Sequence, residues 1–153
     1  MFGVTSFSRA RRVIAAATLW CALVPAPVLA AGSLYQRLGG YDAIAGFVDA
    51  AFPRVAAHPE LAHLFRGHAQ DSQLRQRQLI VDLLCQATGG PCVYIGRPME
   101  PVHTGLGITS AQWQTFIGII SSAATERGFG EAEKREFLEV FAMRFRPDVV
   151  EKP

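Results

Sequence analysis

The sequence predicts an all-α fold, on three observations. Apolar residues recur every three to four positions through the long stretches of the chain. No segment sustains the period-two alternation of a half-buried strand. Glycine and proline gather between the apolar stretches, where helices stop.

Each element has its own reason. Ser33–Leu38 is a short helical piece ended by Gly39-Gly40. A helix is expected from Tyr41 to Ala57, because Ile44, Phe47, Val48, Ala51, Phe52 and Val55 fall on one face. Pro53 lies inside this pattern and should kink or shorten the helix. Residues 58–65 suit a brief turn with Pro59 at its start, followed by a polar loop from Arg66 to Ser72. The next helix is expected from Gln73 to Thr88, with Leu79, Ile80, Leu83, Leu84 and Ala87 as its apolar face and Gln76 one turn before Ile80. Gly89-Gly90-Pro91 stops it. Residues 92–108 read as irregular, with room for one helical turn over Met99–His103. Thr109 and Gln112 form a capping box that opens a helix to Thr125, burying Trp113, Phe116, Ile117 and Ile120. A last helix begins near Glu131, points Phe137, Leu138, Phe141 and Phe145 inward, and is expected to end at Pro147.

Composition sets the class. The 153 residues are 50% hydrophobic, 18% charged and 10% aromatic, which fits one globular domain and not a disordered chain. A net charge of +2 gives no electrostatic case for nucleic-acid binding. Part of that charge belongs to a leader. Residues 1–12 carry Arg9, Arg11 and Arg12 and no acid; an apolar run from Val13 to Ala30 ends in Val28-Leu29-Ala30. This is the layout of a cleaved signal peptide, residues 1–30, ahead of a domain at 31–153. The run is near the length of a membrane anchor, but Pro25 and Pro27 break its end. Without the leader, twelve basic residues face thirteen acidic ones. The mature chain is expected to be exported, free of the membrane and monomeric.

Cys85 and Cys92 are the cysteines of the mature part. In an oxidising compartment they can pair across the reversal at Gly89-Gly90-Pro91; otherwise Cys85 is a buried helix residue and Cys92 a free thiol. Zinc spacing is absent. His58, His63 and His68 are five apart, which is not a same-face spacing, and they read as solvated. His103 stands alone in its short helix, where a structural role is the ordinary expectation. Spacing by itself therefore yields a small exported helical protein with an apolar pocket.

Two stretches add a resemblance. Leu34–Gly40, LYQRLGG, and Cys85–Thr109, CQATGGPCVYIGRPMEPVHTGLGIT, resemble the group I branch of the truncated haemoglobins, and the likeness extends over most of residues 34–145. It implies a shortened globin fold, a two-over-two helical sandwich around haem b. It implies His103 as the proximal iron ligand, with Met99 and Val102 on the proximal haem face. Tyr94 resembles a tyrosine at the haem edge, and Phe65 the phenylalanine that wedges the porphyrin. Ile80, Leu83, Leu84, Ile108, Trp113, Phe116 and Ile120 would line the pocket.

The distal side departs from the family's best-known pattern. Phe52 stands where many relatives carry a tyrosine whose hydroxyl bonds the ligand, and it has no donor. Gln76 matches the distal polar position. Leu79 replaces a histidine or lysine of some relatives, which argues against coordination of iron by two histidines. The expected function is reversible binding of oxygen, carbon monoxide or nitric oxide. The alternative is a nitric oxide dioxygenase or peroxidase-like enzyme, which would need a partner reductase because no flavin or nicotinamide motif is present. A cofactor-free helical partner-binding protein is the third reading. The leader and the bacterial character of the resemblance point to the periplasm.

Overall fold

In a computed structural model, residues 32–151 other than His68 are described, and among them the secondary structure is entirely helical. The expected leader at residues 1–30 lies outside the described residues. The order is α1 (Leu34–Arg37), α2 (Gly40–Ala57), a 3-10 turn (Ala62–Phe65), α3 (Gln70–Ala87), α4 (Met99–His103), α5 (Ser110–Glu126), α6 (Glu131–Val140), a π turn (Phe141–Phe145) and α7 (Arg146–Val149). Among these, no helix is long and apolar enough to cross a membrane.

Capping chemistry starts two of the helices. Ser33 and Gln36 close a capping box on α1, and Thr109 and Gln112 close one on α5, so both helix starts satisfy otherwise orphaned amides. The pair α2 and α3 packs together, α2 also packs on α5, and α5 packs on α6. Between them lies a core of Ile44, Phe47, Val48, Ala51, Val81, Leu84, Cys85, Trp113, Ile120, Ala123, Ala124 and Phe137. Phe137 meets Phe47, Phe129 and Phe141 edge to face at 5.0, 5.6 and 5.2 Å, and Phe141 continues the series to Phe116 and Phe145. Such ring pairs add about 0.5–1.5 kcal/mol each beyond the area they bury.

Four local expectations are corrected. Pro53 does not shorten α2, which runs on to Ala57; the lost backbone bond falls near the helix end, and burial of Val55 offsets it. Helical turn 58–65 contracts to a 3-10 turn at Ala62–Phe65, with Pro59 outside it. α3 begins at Gln70, not Gln73, with Asp71 in its first turn, where a carboxylate suits the helix dipole. Pro147 does not end the last helix. The π turn breaks the hydrogen-bond ladder at Phe141–Phe145, so Pro147 falls in the first turn of α7, where its missing N–H costs nothing.

Candidate functional site

α4 is the centre of the candidate site. Its bounds, Met99–His103, are those its flanking breakers predict. Gly105 and Gly107 follow it at φ +80° and +65°, a left-handed backbone that side-chain-bearing residues resist, and they turn the chain back toward Thr109. His103 is half-buried. Its Nδ1 lies 2.8 Å from the Met99 carbonyl oxygen, one turn earlier. A carbonyl can only accept, so Nδ1 is the donor, and in the neutral ring that leaves Nε2 with its lone pair.

The apolar residues assigned to the pocket differ in how deeply they are covered. Met99, Ile80, Leu83 and Phe116 are half-buried against the core, and Val102 is half-buried beside His103. α4 packs on α7, whereas α3 packs on α2. Leu84, Ile108, Trp113 and Ile120 are more deeply covered, between 2% and 7% exposed, and belong to the closed core or its edge. Leu79 is half-buried as well, one residue before Ile80 on α3.

The segment between α3 and α4 is held at three points. Cys85 and Cys92 form a disulfide with Cα atoms 5.8 Å apart. The Tyr94 amide donates to Gln86 Oε1 at 2.9 Å, and the Tyr94 hydroxyl donates to the Arg97 carbonyl at 2.8 Å. Burial raises the Tyr94 phenol above its ordinary pKa, keeping it a neutral donor. The tyrosine ring also lies so close to Gly96 that any side chain there would collide with it. That explains the Tyr-x-Gly spacing.

On the other side, Phe52 and Phe65 meet edge to face at 5.7 Å. Phe52 also walls a cleft of about 220 Å³ between α2 and α3, lined by Val48, Asp49, Pro53, Gln70, Gln73, Leu74 and Arg77. Arg77 grips Asp49 through two bonds, Nε to Oδ1 at 2.8 Å and Nη2 to Oδ2 at 2.7 Å, across this cleft. The guanidinium holds the Asp49 carboxyl below its usual range. Gln76 is half-buried, one helical turn beyond Gln73. Sequence reasoning did not find the Asp49–Arg77 clasp: charges on two separate helices give no pairing signal until the helices pack.

The donor set fits a haem: one half-buried imidazole whose Nδ1 is taken by a carbonyl, leaving Nε2 for iron, and no competing cluster of metal-binding residues among those described. Comparison with known proteins decides the family. The family model described as bacterial-like globin matches residues 33–149. The chain belongs to the bacterial-like globins. This globin is 34% identical over 110 residues to the group 1 truncated haemoglobin GlbN of Mycolicibacterium paratuberculosis, covering 72% of this chain and 79% of that protein. It is 31% identical to the GlbN of a Nostoc species, over 70% of this chain and 88% of that one. The crystal structure of the truncated haemoglobin from Tetrahymena pyriformis in its Fe(III) form superimposes with a TM-score of 0.71 at 26% identity, covering 79% of this chain and all of that one. The 2/2 haemoglobin from a Synechococcus species matches in fold, with a TM-score of 0.70. The α2–α3 and α5–α6 pairs of this globin are thus the two layers of a two-over-two sandwich.

Proposed function

We propose that this globin binds haem b with His103 as the iron ligand, and holds a diatomic gas reversibly, with Phe52 and Gln76 assigned to the gas-binding side by the family resemblance. The observation that carries the reading is the His103 ring, whose Nδ1 is committed to the Met99 carbonyl while Nε2 is free. Bound haem would supply a ferrous iron with one open position for oxygen, carbon monoxide or nitric oxide.

The chain's residues do the remainder. The Met99 carbonyl fixes the tautomer and the ring plane of His103. Met99, Val102, Ile80, Leu83 and Phe116 supply apolar contact and exclude water. Phe52 and Phe65 present ring edges and no hydrogen-bond donor. Gln76 is the residue that would donate a hydrogen bond to a bound gas, through its amide. One neutral bond contributes about 1 kcal/mol, so gas release is expected to be fast.

Turnover of nitric oxide or peroxide would need electrons from a partner reductase, and Phe52 withholds a hydroxyl that would steady bound oxygen. Gas binding is therefore the preferred reading. The basic start and apolar run of residues 1–30 support export to the periplasm, and the Cys85–Cys92 bridge suits an oxidising compartment. The test is titration of the reduced protein with carbon monoxide and oxygen. Reversible shifts of a Soret band support the reading; rapid nitric oxide consumption with a reductant would favour the enzyme instead.

A further inference from the structure

α4 has five residues, far fewer than a helix needs to stand alone. Irregular backbone precedes it from Pro91 to Pro98, and two left-handed glycines follow it. Something outside α4 must therefore set the position of His103. Upstream, the disulfide and Tyr94 tie the lead-in segment to α3. Downstream, the tie is the segment Arg146–Glu151.

The π turn at Phe141–Phe145 makes this possible. Phe141 and Phe145 stay in the core, with ring centroids 5.4 Å apart. Within the same turn, Arg144 Nη1 donates to the Ala87 carbonyl, the last of α3, at 3.1 Å. The chain then packs α7 against α4. Val149 and Val150 join the core from this turn. The Glu151 amide donates to the Ile108 carbonyl at 2.9 Å, and Arg146 Nη2 to Ser110 Oγ at 3.4 Å. Residues 144–151 thus touch the end of α3, the body of α4 and the start of α5.

We propose that residues 146–151 are a strap that positions His103, holding α4 at a fixed place relative to α3 through Val149, Val150 and the Glu151 amide. The proposal rests on the haem reading. Val149 and Val150 are positioning residues: they act on the iron ligand through the packing of α7 on α4.

The test compares three full-length variants loaded with haem, Val149→Ala/Val150→Ala, Arg146→Ala and Phe129→Leu, with a chain ending at Phe145. Phe129→Leu is a core control, since Phe129 stacks on Phe47 of α2. The readouts are the iron–histidine stretching band of the ferrous protein and the rate of haem transfer to apomyoglobin. The double variant is expected to shift or broaden the band and to speed haem loss by on the order of tenfold. Arg146→Ala should move both less, because its bond to Ser110 is long and exposed. Phe129→Leu should lower the thermal midpoint and leave both readouts at wild type. Should the shortened chain not fold, the double variant decides. A band and a loss rate unchanged in the double variant, or moved equally by Phe129→Leu, would overturn the strap alone. A wild-type protein without a Soret band would overturn the haem reading itself.

Discussion

His103 Nδ1 lies 2.8 Å from the carbonyl oxygen of Met99, within the same short helix. The partner is a neutral carbonyl and not a carboxylate. It fixes the ring without drawing the proton far from it, so a ligating imidazole would gain little extra electron donation. A strongly donating ligand is what helps break an oxygen–oxygen bond. The protein is therefore expected to be a poor peroxidase. Guaiacol oxidation per haem should stay close to that of free haem; a rate orders of magnitude higher would contradict this view of the His103–Met99 pair.

Phe52 meets Phe65 edge to face, and neither ring can donate to a bound gas. Phe52→Tyr keeps the ring and adds a hydroxyl. Oxygen dissociation should slow about fivefold if the new donor is worth 1 kcal/mol. Gln76→Leu should speed it by a similar factor. Stopped-flow dissociation measures both, and an unchanged rate in Gln76→Leu removes Gln76 from the distal side.

The Cys85–Cys92 bridge closes a loop with a sequence separation of 7. Loop entropy gives such a bridge about 2–3 kcal/mol. Cys85→Ala/Cys92→Ala should lower the unfolding free energy from urea melts by that amount, and dithiothreitol should then have no further effect. A double variant as stable as the oxidised wild type would show that the bridge adds nothing.

Arg77 depresses the Asp49 pKa, chiefly through its hydrogen bonds. Because the folded value lies below the unfolded one, the clasp stabilises the fold fully above the unfolded value, roughly 3.9, and loses that contribution as pH falls through the depressed folded value. Asp49 is 59% exposed at its side chain, so solvent screening keeps the gain below about 1 kcal/mol. Asp49→Asn should therefore lower stability slightly at neutral pH and flatten its acid limb. Urea melts at pH 7 and at about pH 3 check this; a wild type and variant that differ equally at both would contradict it.

The sequence carried the local features well and the tertiary ones poorly. Breakers on both sides bounded α4 at Met99 and His103, and Thr109-x-x-Gln112 marked the start of α5, because capping and glycine conformation are local physics. The start of α3 at Gln70 was hidden, since its first turn is polar and has no apolar period to read. Pro147 was misleading because the π turn that accommodates it depends on the packing of Phe141 and Phe145, not on their neighbours in sequence. His103 stood out only by resemblance: nothing in its spacing distinguishes an iron ligand from a structural histidine. The Asp49–Arg77 clasp and the packing of α7 on α4 exist only once separate helices meet.

The most direct test is the absorption spectrum of the purified protein, ferric and ferrous, beside His103→Gly with and without added imidazole. The wild type should show a Soret band with a histidine-ligated ferrous spectrum. His103→Gly should lose that ferrous signature and regain it when imidazole fills the space. A colourless wild type after expression with ample haem, or a His103→Gly spectrum identical to the wild type, would contradict the account.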